Sequence, residues 1–307
     1  MFFMLYAILL WLIFDLAGLI LTHSGLSSLM GMPIPSFNLY GKMAALIGII
    51  GIMAYGTYHA RNIKINSYDI IIPKNCTTLK NLNVVFLSDT HLGNIVNNKH
   101  LEHMVDKINS LSPDIVLFGG DIIDDSMNSY LEQNMSKTLG KIKSAYGIYG
   151  VLGNHDGAAR DQINVINNLA AGGMRVLVDQ YIKINESFYL AGRVDNSMPR
   201  GGSSRKPLEE ILKDVDQSLP VILMDHSPAK FKEAREQNVD LQLSGHTHGG
   251  QFFPNTLVTK TIFATDWGYL KKDNFQLIVS SGAATWGPPL RLGTNSEIVK
   301  VNITFKK

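Results

Sequence analysis

The sequence predicts an α/β (α+β) protein in which one mixed sheet, or two packed sheets, is flanked by helices and preceded by two apolar segments. From Asn83 onward, short apolar runs alternate with segments of helical periodicity, and the later strands follow one another as hairpin strands do. Before Asn83, two long stretches contain almost no charged residues. We therefore expect membrane segments within residues 1–60, a linker over 61–82 and a folded domain over 83–307.

The composition excludes several classes of protein. The chain has 307 residues, of which 18% are charged and 45% apolar, with a net charge of +2. This balance favours a packed core and offers no basic stripe of the kind found on nucleic-acid-binding proteins, so no nucleic-acid partner is expected. The single cysteine, Cys76, excludes a disulfide framework and a thiolate metal site within the chain. Because Cys76 lies in a polar stretch, we interpret it as an incidental thiol.

Two apolar runs predict membrane helices. Residues 2–21 contain only one charged side chain, Asp15, and meet the length of about 20 residues that a helix needs to cross a bilayer. Residues 43–58 carry no charge but form a shorter run. No basic residue precedes the first run, which argues against a secretory signal peptide. We expect a membrane hairpin, or one span followed by an interfacial helix, with buried helices of a soluble fold as the alternative.

The basic residues predict how these segments are oriented. The loop over residues 22–41 has no Lys or Arg, whereas four follow the second run: Arg61, Lys64, Lys74 and Lys80. By the positive-inside rule, this places the amino terminus and the large domain in the cytoplasm. Lys42, on the loop side of the second run, favours the opposite orientation.

Apolar runs and helical periodicity predict the elements of the domain. Strands are predicted at Asn83–Ser88, Asp114–Phe118, Gly147–Leu152, Arg175–Val178, Tyr181–Ile184, Phe188–Ala191, Pro220–Met224, Leu241–Leu243, Gln276–Val279 and Glu297–Thr304. Helices are predicted near Lys99–Ser110, Tyr130–Ser144, Arg160–Ala171 and Ala229–Gln237, and the Gly- and Ser-rich residues 201–204 predict a surface loop.

Polar side chains follow the predicted strands in five motifs. They are Asp89 and His91 in SDTH, Asp121 and Asp124 in GGDIID, Asn154, His155 and Asp156 in GNHD, His226 in DHSP, and His246 and His248 in GHTHGG. Since α/β sheets place their ligand sites at the carboxyl ends of strands, we expect the five loops to converge on one site.

The residue types in these motifs indicate a centre for divalent metal ions. Carboxylates, imidazoles and one amide, without thiolates, suit hard or borderline metals. Asp121 is the natural bridge between two ions, which would lower the pKa of a shared water and hold both ends of an in-line phosphoryl displacement. One such motif alone is weak evidence, but five in this order predict a functional centre. His100 and His103, on a predicted helix, are interpreted as a solvated face.

The motif series resembles the calcineurin-like metallophosphoesterases. The similarity lies in SDTHLG, GGDIID, LGNHD, DHSP and SGHTHGGQ, and it extends over about Asn83 to Thr304. The ending GPPLRLGTNSEIV is similar to that of bacterial membrane-associated members, which include UDP-2,3-diacylglucosamine pyrophosphatases. The resemblance implies a four-layer α-β-β-α sandwich preceded here by the apolar hairpin, and a location in the bacterial cell membrane.

The resemblance also implies roles for individual residues. One divalent ion, with Mn first and Fe, Zn or Co as alternatives, would be held by Asp89, His91, Asp121 and His248, and a second by Asp121, Asn154, His226 and His246. A hydroxide shared by the two ions would attack phosphorus in line. His155, oriented by Asp124, would protonate the leaving oxygen or stabilise charge on phosphorus.

The sequence indicates the substrate less clearly than it indicates the metal centre. Arg291, Arg193 and Trp267 are candidate contacts, the arginines for phosphate and the tryptophan as part of an aromatic-rich segment, residues 252–275, that could form an apolar wall. Because anchoring raises the effective concentration of membrane substrates, we expect a lipid-linked phosphodiester or pyrophosphate, of the UDP-2,3-diacylglucosamine or phospholipid type. The alternatives are a soluble small-molecule or nucleotide substrate and, in another class, a non-catalytic metal-binding scaffold. The oligomeric state is left open.

Overall fold

A computed structural model describes residues 2–24, 34–76, 78–124, 126–156, 162–196 and 205–306. The chain divides into two compact units, residues 1–58 and 59–307. The predicted loop over residues 201–204 lies outside the described residues, as does Arg160 at the start of a predicted helix.

The first unit consists of two apolar helices, α1 (Phe2–His23) and α2 (Ile34–Arg61), the second of which ends in the other unit. By length and composition, Tyr40–Arg61 is long and apolar enough to cross a membrane, whereas Tyr6–Leu21 is a shorter apolar stretch. Helix α1 spans the whole of the first predicted apolar run, residues 2–21. Helix α2 continues past both ends of the second run, residues 43–58, through Lys42 and His59.

The second unit contains two six-stranded sheets. The first has the order β1-β12-β2-β3-β4-β5, with β1 (Lys64–Ile72), β2 (Asn81–Leu87), β3 (Ile115–Phe118), β4 (Ile148–Gly150), β5 (Met174–Val176) and β12 (Glu297–Phe305). The second has the order β10-β11-β9-β8-β7-β6, with β6 (Gln180–Ile184), β7 (Phe188–Arg193), β8 (Val221–Asp225), β9 (Leu241–Ser244), β10 (Gly268–Lys272) and β11 (Phe275–Val279).

Helices cover the outer faces of both sheets. Beside the first are α3 (Asn98–Ser110), α4 (Met127–Glu132), α5 (Met135–Leu139) and α6 (Gln162–Ala171), and beside the second are α7 (Leu208–Leu212) and α8 (Phe231–Glu236). Helix α9 (Asn255–Ile262) follows the His248–Gly250 turn. Within β2, Val85 and Leu87 pack in one core with α3 and α6, while Val84 and Phe86 pack in a second core with residues of the other sheet. A third core joins the second sheet to α7 and α8. The expected α-β-β-α sandwich is confirmed.

Several elements differ from the sequence predictions. The expected linker over 61–82 contains β1, which pairs in parallel with β12 and is therefore specified by a partner more than 200 residues away. The helix expected at Tyr130–Ser144 is two short helices, α4 and α5, because Asn134 between them has a left-handed backbone (φ 51°). The helix expected at Ala229–Gln237 begins with a 3-10 turn at Pro228–Lys230. Strand β10 was not predicted.

The strand order positions the site. In the first sheet β2, β3, β4 and β5 are mutually parallel, and in the second β7, β8, β9 and β11 are parallel. The carboxyl ends of neighbouring parallel strands lie at one edge, so the loops after β2, β3 and β4 meet, as do those after β8 and β9.

Candidate metal centre

The loops that carry the five motifs are joined by main-chain hydrogen bonds. After β2, Asp89 N donates to Gly120 O (3.0 Å) and His91 N to Asp121 O (3.0 Å), which ties this loop to the loop after β3. In the second sheet, Gly245 N donates to the carbonyl of His226 (2.9 Å). The two sheets are linked where His246 N donates to the carboxylate of Asp89 at 3.1 Å. The convergence expected from the sequence is therefore present.

Five residues of the motifs have left-handed backbones. They are Asp89 (φ 53°), His91 (φ 42°), Asp121 (φ 50°), His246 (φ 71°) and His248 (φ 51°). Such conformations are uncommon for residues other than glycine, and strained positions of this kind concentrate at functional sites. In the DTH and HTH motifs they occur at alternate residues, so each loop turns sharply on either side of its central threonine.

Glycines allow the loops to approach closely. A β-carbon on Gly153 would lie 2.5 Å from the main-chain nitrogen of Asp121. Gly120, at φ +92°, would place one 2.6 Å from Nδ1 of His226. Such distances are well inside van der Waals contact, so the GGD and GNH motifs need these glycines for close packing of the loops.

The polar atoms of the motifs form a compact, mostly buried cluster. Near Asp89, its Oδ1 lies 3.3 Å from Nε2 of His248, and that nitrogen lies 3.3 Å from Nε2 of His91. On the other side, Nε2 of His226 lies 3.2 Å from Oδ2 of Asp121 and 3.2 Å from Oδ1 of Asn154.

His246 completes this second group, because its Nδ1 lies 2.9 Å from Oδ1 of Asn154. Two triads have ligand atoms within 4.8 Å of one another: Asp89, His91 and His248, and Asp89, Asp121 and His226. The sequence analysis placed the bridge on Asp121 alone. The structure puts two carboxylates between the groups, since Asp89 is common to both triads and Oδ2 of Asp121 lies 3.9 Å from Nε2 of His91.

The donor set fits divalent cations. Burial lowers the pKa of His248 to about 3, which leaves this ring neutral with a lone pair on one nitrogen. Its Nε2 faces Nε2 of His91 at 3.3 Å, and two lone pairs directed at each other repel unless a proton or a cation lies between them. Buried nitrogen and carboxylate ligands without sulfur are the set that metals such as Mn²⁺, Fe²⁺ or Zn²⁺ accept.

The charges of the cluster also favour a cation. Burial alone would lower the pKa of the His226 imidazole, but the Asp121 carboxylate beside it and Asp89 hold that pKa well above its usual value. Burial would likewise raise the pKa of Asp121, yet His226 and His91 hold it far below its usual range. The buried carboxylates thus attract protons onto a buried imidazole, and a metal cation would satisfy the same excess of negative charge.

Neighbouring groups orient the ligands. Nδ1 of His226 lies 2.8 Å from the carbonyl oxygen of Gly119, and donation of its proton to that carbonyl leaves Nε2 free to face the cluster. The fully buried Asp156 carboxylate accepts hydrogen bonds from the main-chain nitrogens of Ile122, Ile123 and Gly153, at 2.8–3.0 Å. It therefore joins the loops after β3 and β4. Sequence reasoning gave Asp156 no role, because its partners are main-chain groups without a sequence signal.

Replacing Asp156 by asparagine is expected to destabilise the domain by about 2 kcal/mol, because an amide leaves main-chain donors unpaired and places its own NH₂ against them. Urea unfolding of the metal-stripped protein at neutral pH measures this loss. The exposed Asp106 on α3 provides the matched control, since Asp106→Asn removes the same charge without buried partners. An unchanged unfolding midpoint for Asp156→Asn would show that the carboxylate does not hold the loops together.

With this geometry in view, comparison with known proteins identifies the family. Residues 82–250 match the family model of the calcineurin-like phosphoesterases. The chain belongs to this family. It is accordingly an enzyme of the metallophosphoesterase class, which hydrolyses phosphoesters.

Several known proteins are similar to this calcineurin-like phosphoesterase. It is 33% identical to an uncharacterized metallophosphoesterase of Campylobacter jejuni, over 91% of this chain and 75% of that protein. It is 30% identical to a Danio rerio protein named transmembrane protein with metallophosphoesterase domain, over 86% of this chain but 62% of the relative's length. The structure resembles the crystal structure of a dimetal phosphatase from Danio rerio with a TM-score of 0.45 and 12% identity, over 73% of this chain and 98% of that one.

His155 lies at the rim of the centre of this phosphoesterase. Its main-chain nitrogen donates to Oδ1 of Asp121 (2.8 Å), and its ring is half-buried. The ring centroid lies 5.1 Å from that of His91 and 5.8 Å from that of Trp286, an exposed residue. The carboxylate of Asp124 lies 3.7 Å from Nδ1 of His91. The structure thus places Asp124 beside a metal-ligand candidate, a contact the sequence did not indicate.

The two arginines proposed to bind phosphate have other partners. Arg291 is fully buried, and its guanidinium donates to main-chain carbonyls of His248, Ser281, Gly282 and Ala284 and to the hydroxyl of Thr294. Arg193 is buried and pairs with Glu233 (2.9 Å) and Asp225 (3.5 Å). The terminal NH groups of both guanidinium groups are directed at protein oxygens, so the expectation of phosphate binding is replaced by a role in supporting the loops.

An aromatic ring of the segment lies beside a metal-ligand candidate. The indole nitrogen of Trp267 donates to Glu297 (3.0 Å), and its ring is 43% exposed. The ring of Phe263, earlier in the segment, lies 6.3 Å from that of His246. An apolar group therefore borders the His246 side of the cluster, but it is Phe263 rather than Trp267.

Proposed function

We propose that this chain is a dinuclear-metal-dependent phosphoesterase that cleaves a phosphodiester or pyrophosphate bond of a lipid-linked substrate at a membrane. The observation that carries the proposal is the convergence of buried oxygen and nitrogen donors in two groups that share carboxylates. We propose that one ion would be held by Asp89, His91, Asp121 and His248, and the other by Asp121, Asn154, His226 and His246. Asp89 lies close to both groups.

The ions, when bound, would polarise the phosphoryl group and lower the pKa of a water molecule for in-line attack. Side chains of the protein would orient the reacting groups and keep them in a buried site. The Asp89 and Asp121 carboxylates would balance the charge of the cations in a buried site. Asp156 braces the loops after β3 and β4, and Arg291 braces the loop of His248. His155, half-exposed at the rim, is the group placed to give a proton to the leaving oxygen.

The proposed membrane location rests on α2, and the proposed substrate class rests in turn on the membrane location. Tyr40–Arg61 supports a membrane span, and the basic residues that follow it support a cytoplasmic domain at a bacterial cell membrane. The zebrafish relative is named a transmembrane protein. An anchored enzyme meets membrane substrates at high effective concentration, which favours a UDP-2,3-diacylglucosamine-type or phospholipid-type substrate.

Removal of metal tests the catalytic proposal. We expect the protein treated with a chelator to lose hydrolysis of bis-p-nitrophenyl phosphate and to regain it with Mn²⁺ or another transition-metal ion, whereas Ca²⁺ restores little because it prefers more oxygen ligands. Bound metal should also raise the unfolding temperature, since ligands that bind only the folded state stabilise it. Undiminished hydrolysis by a sample shown to contain no metal would contradict the two-metal assignment.

A substrate panel tests the lipid-linked class. The full chain in detergent micelles would be given UDP-2,3-diacylglucosamine, phospholipids, cyclic nucleotides and nucleotide sugars without acyl chains. We expect kcat/KM to be highest for an acylated substrate. A preference for soluble nucleotides would identify the soluble-substrate alternative, and metal binding without turnover of any phosphoester would identify a non-catalytic scaffold.

A further inference from the structure

Helix α9 exposes its large apolar side chains to solvent and buries a polar one, which is the opposite of what a helix of a soluble domain normally does. Its large apolar side chains are exposed, Leu257 by 55%, Val258 by 49% and Ile262 by 67%, whereas the polar Thr259 on the opposite side is buried. A helix of a soluble domain normally turns its apolar stripe inward. We call the exposed residues Leu257, Val258 and Ile262 the α9 face.

Specific polar contacts set this orientation. The Thr259 hydroxyl donates to the buried carboxylate of Asp266 at 2.7 Å. The main-chain oxygen of Asp266 in turn accepts a hydrogen bond from the hydroxyl of Thr247, within the HTH motif. Rotating α9 to bury its apolar side chains would break the bond between Thr259 and Asp266, and Asp266 is itself held by Thr247, so the outward direction of the α9 face is built into the domain.

Helix α9 itself carries one charged residue, the exposed Lys260, and the acidic residue that follows in the segment, Asp266, is buried. Trp267 and Tyr269, about two-fifths exposed, belong to the same segment. Apolar side chains accompanied by Lys, Trp and Tyr are typical of protein surfaces that lie in the interface of an anionic bilayer.

The same segment is attached to the loop that receives the end of α2. Phe252, just before α9, forms bridges with Leu292 and Gly293. Two residues later in that loop, Asn295 lies 2.8 Å from Nδ1 of His59, and the Ser296 hydroxyl donates to the carbonyl of Ala60 at 2.8 Å. Residues 292–296 thus join the base of α9 to the point where the proposed membrane span enters the domain.

We infer that the α9 face docks into the polar–apolar interface of an anionic bilayer; this inference rests on the membrane location in the proposed function. The bilayer is favoured over a second copy of the chain by Lys260, which would meet its own copy across a symmetric contact, and by the attachment of the same segment to His59 and Ala60.

Docking would also position the metal centre. The segment begins directly after the His248–Gly250 turn, and Phe263 at the end of α9 lies 6.3 Å from the ring of His246. An α9 held in the interface therefore keeps the His246 side of the centre close to the lipid headgroups, where a phosphoester of a membrane lipid is found.

Site-specific quenching tests the inference in the full chain. In a Cys76→Ser background, Val258→Cys carries an environment-sensitive fluorophore, and Val178→Cys carries it in the control. Val178 is exposed to a similar extent, 42%, and follows β5, the edge strand farthest from β1 in its sheet. Both proteins are reconstituted in vesicles of phosphatidylcholine and phosphatidylglycerol with brominated acyl chains.

We expect the brominated lipid to remove most of the fluorescence at position 258 and little at 178, with aqueous iodide giving the reverse. Replacing phosphatidylglycerol by phosphatidylcholine, or Lys260 by glutamate, should reduce the lipid quenching. Equal access of iodide to both positions would overturn the inference. Shielding of position 258 from both quenchers would also overturn it, because a protein contact would then cover the α9 face.

Other readouts separate this inference from the proposed function. Flotation of both labelled proteins with the vesicles tests the span; if neither floats, the membrane location and the docking both fail. If both float without a difference in quenching, only the docking fails. Turnover of bis-p-nitrophenyl phosphate reports the catalytic proposal independently, and Leu257→Asp with Ile262→Asp is expected to retain it while losing the lipid quenching at position 258.

Discussion

Replacing Asp121 by asparagine is expected to lower kcat/KM for bis-p-nitrophenyl phosphate by about 10³-fold, the scale found when a preorganised charge at a reacting centre is removed. The substitution preserves shape but leaves a neutral side chain between His226, at 3.2 Å, and His91, at 3.9 Å. Without this carboxylate the two groups of ligands no longer share the charge that holds two cations close together.

Steady-state kinetics and metal analysis of the same samples check this expectation. The variant should bind fewer than two equivalents of metal, and excess Mn²⁺ should restore only part of the activity. Asp106→Asn, which removes an exposed carboxylate from α3, serves as the control and should behave as the unchanged protein. An Asp121→Asn protein with two bound ions and an unchanged rate would refute the bridging role.

Replacing His155 by glutamine is expected to lower kcat by about 10²–10³-fold while the bound metal remains, the range for loss of a general acid. The ring lies at the half-exposed rim, and the hydrogen bond from His155 to Asp121 is donated by the main-chain nitrogen, which the substitution leaves in place. The loss should be larger for substrates with alkyl leaving groups than for p-nitrophenyl esters, because a poor leaving group depends more on protonation.

This is measured by comparing kcat for pairs of substrates that differ only in their leaving group. His103→Gln, at an exposed position on α3, is the control. Equal losses for both leaving groups would assign His155 to charge stabilisation on phosphorus instead. Asp124→Asn then separates two roles for Asp124. A change resembling that of His155→Gln would place it with His155, whereas loss of metal would place it with His91, its neighbour at 3.7 Å.

The five motif loops could be predicted because each combines two strong local signals. A buried apolar run such as that of β3 identifies a strand, and the polar residues directly after it must lie at one edge when the strands are parallel. What could not be predicted depends on partners distant in the chain. Strand β1 is defined by pairing with β12, and nothing local marks Lys64–Ile72 as part of a sheet.

Arg291 and Arg193 show a second limit of prediction from the sequence. A guanidinium near a strand end has the same sequence signature whether it binds phosphate or protein carbonyls. Only the three-dimensional structure shows that Arg291 is surrounded by main-chain oxygens and that Arg193 is paired with acids. Helix α9 is a limit of the same kind, since the sequence analysis predicted no helix there and the exposure of Leu257 and Ile262 is seen only in the structure.

The parallel pairing of β1 with β12 has a consequence for how the enzyme is made. Strand β12 lies between β1 and β2, so the first sheet cannot close until residues 297–305 have been synthesised. All of the proposed ligands precede residue 249, yet the braces on the His248 loop come from Arg291 and its neighbours. We expect a chain truncated before residue 291 to contain every proposed ligand but to leave the centre without the supports that Arg291 and β12 supply.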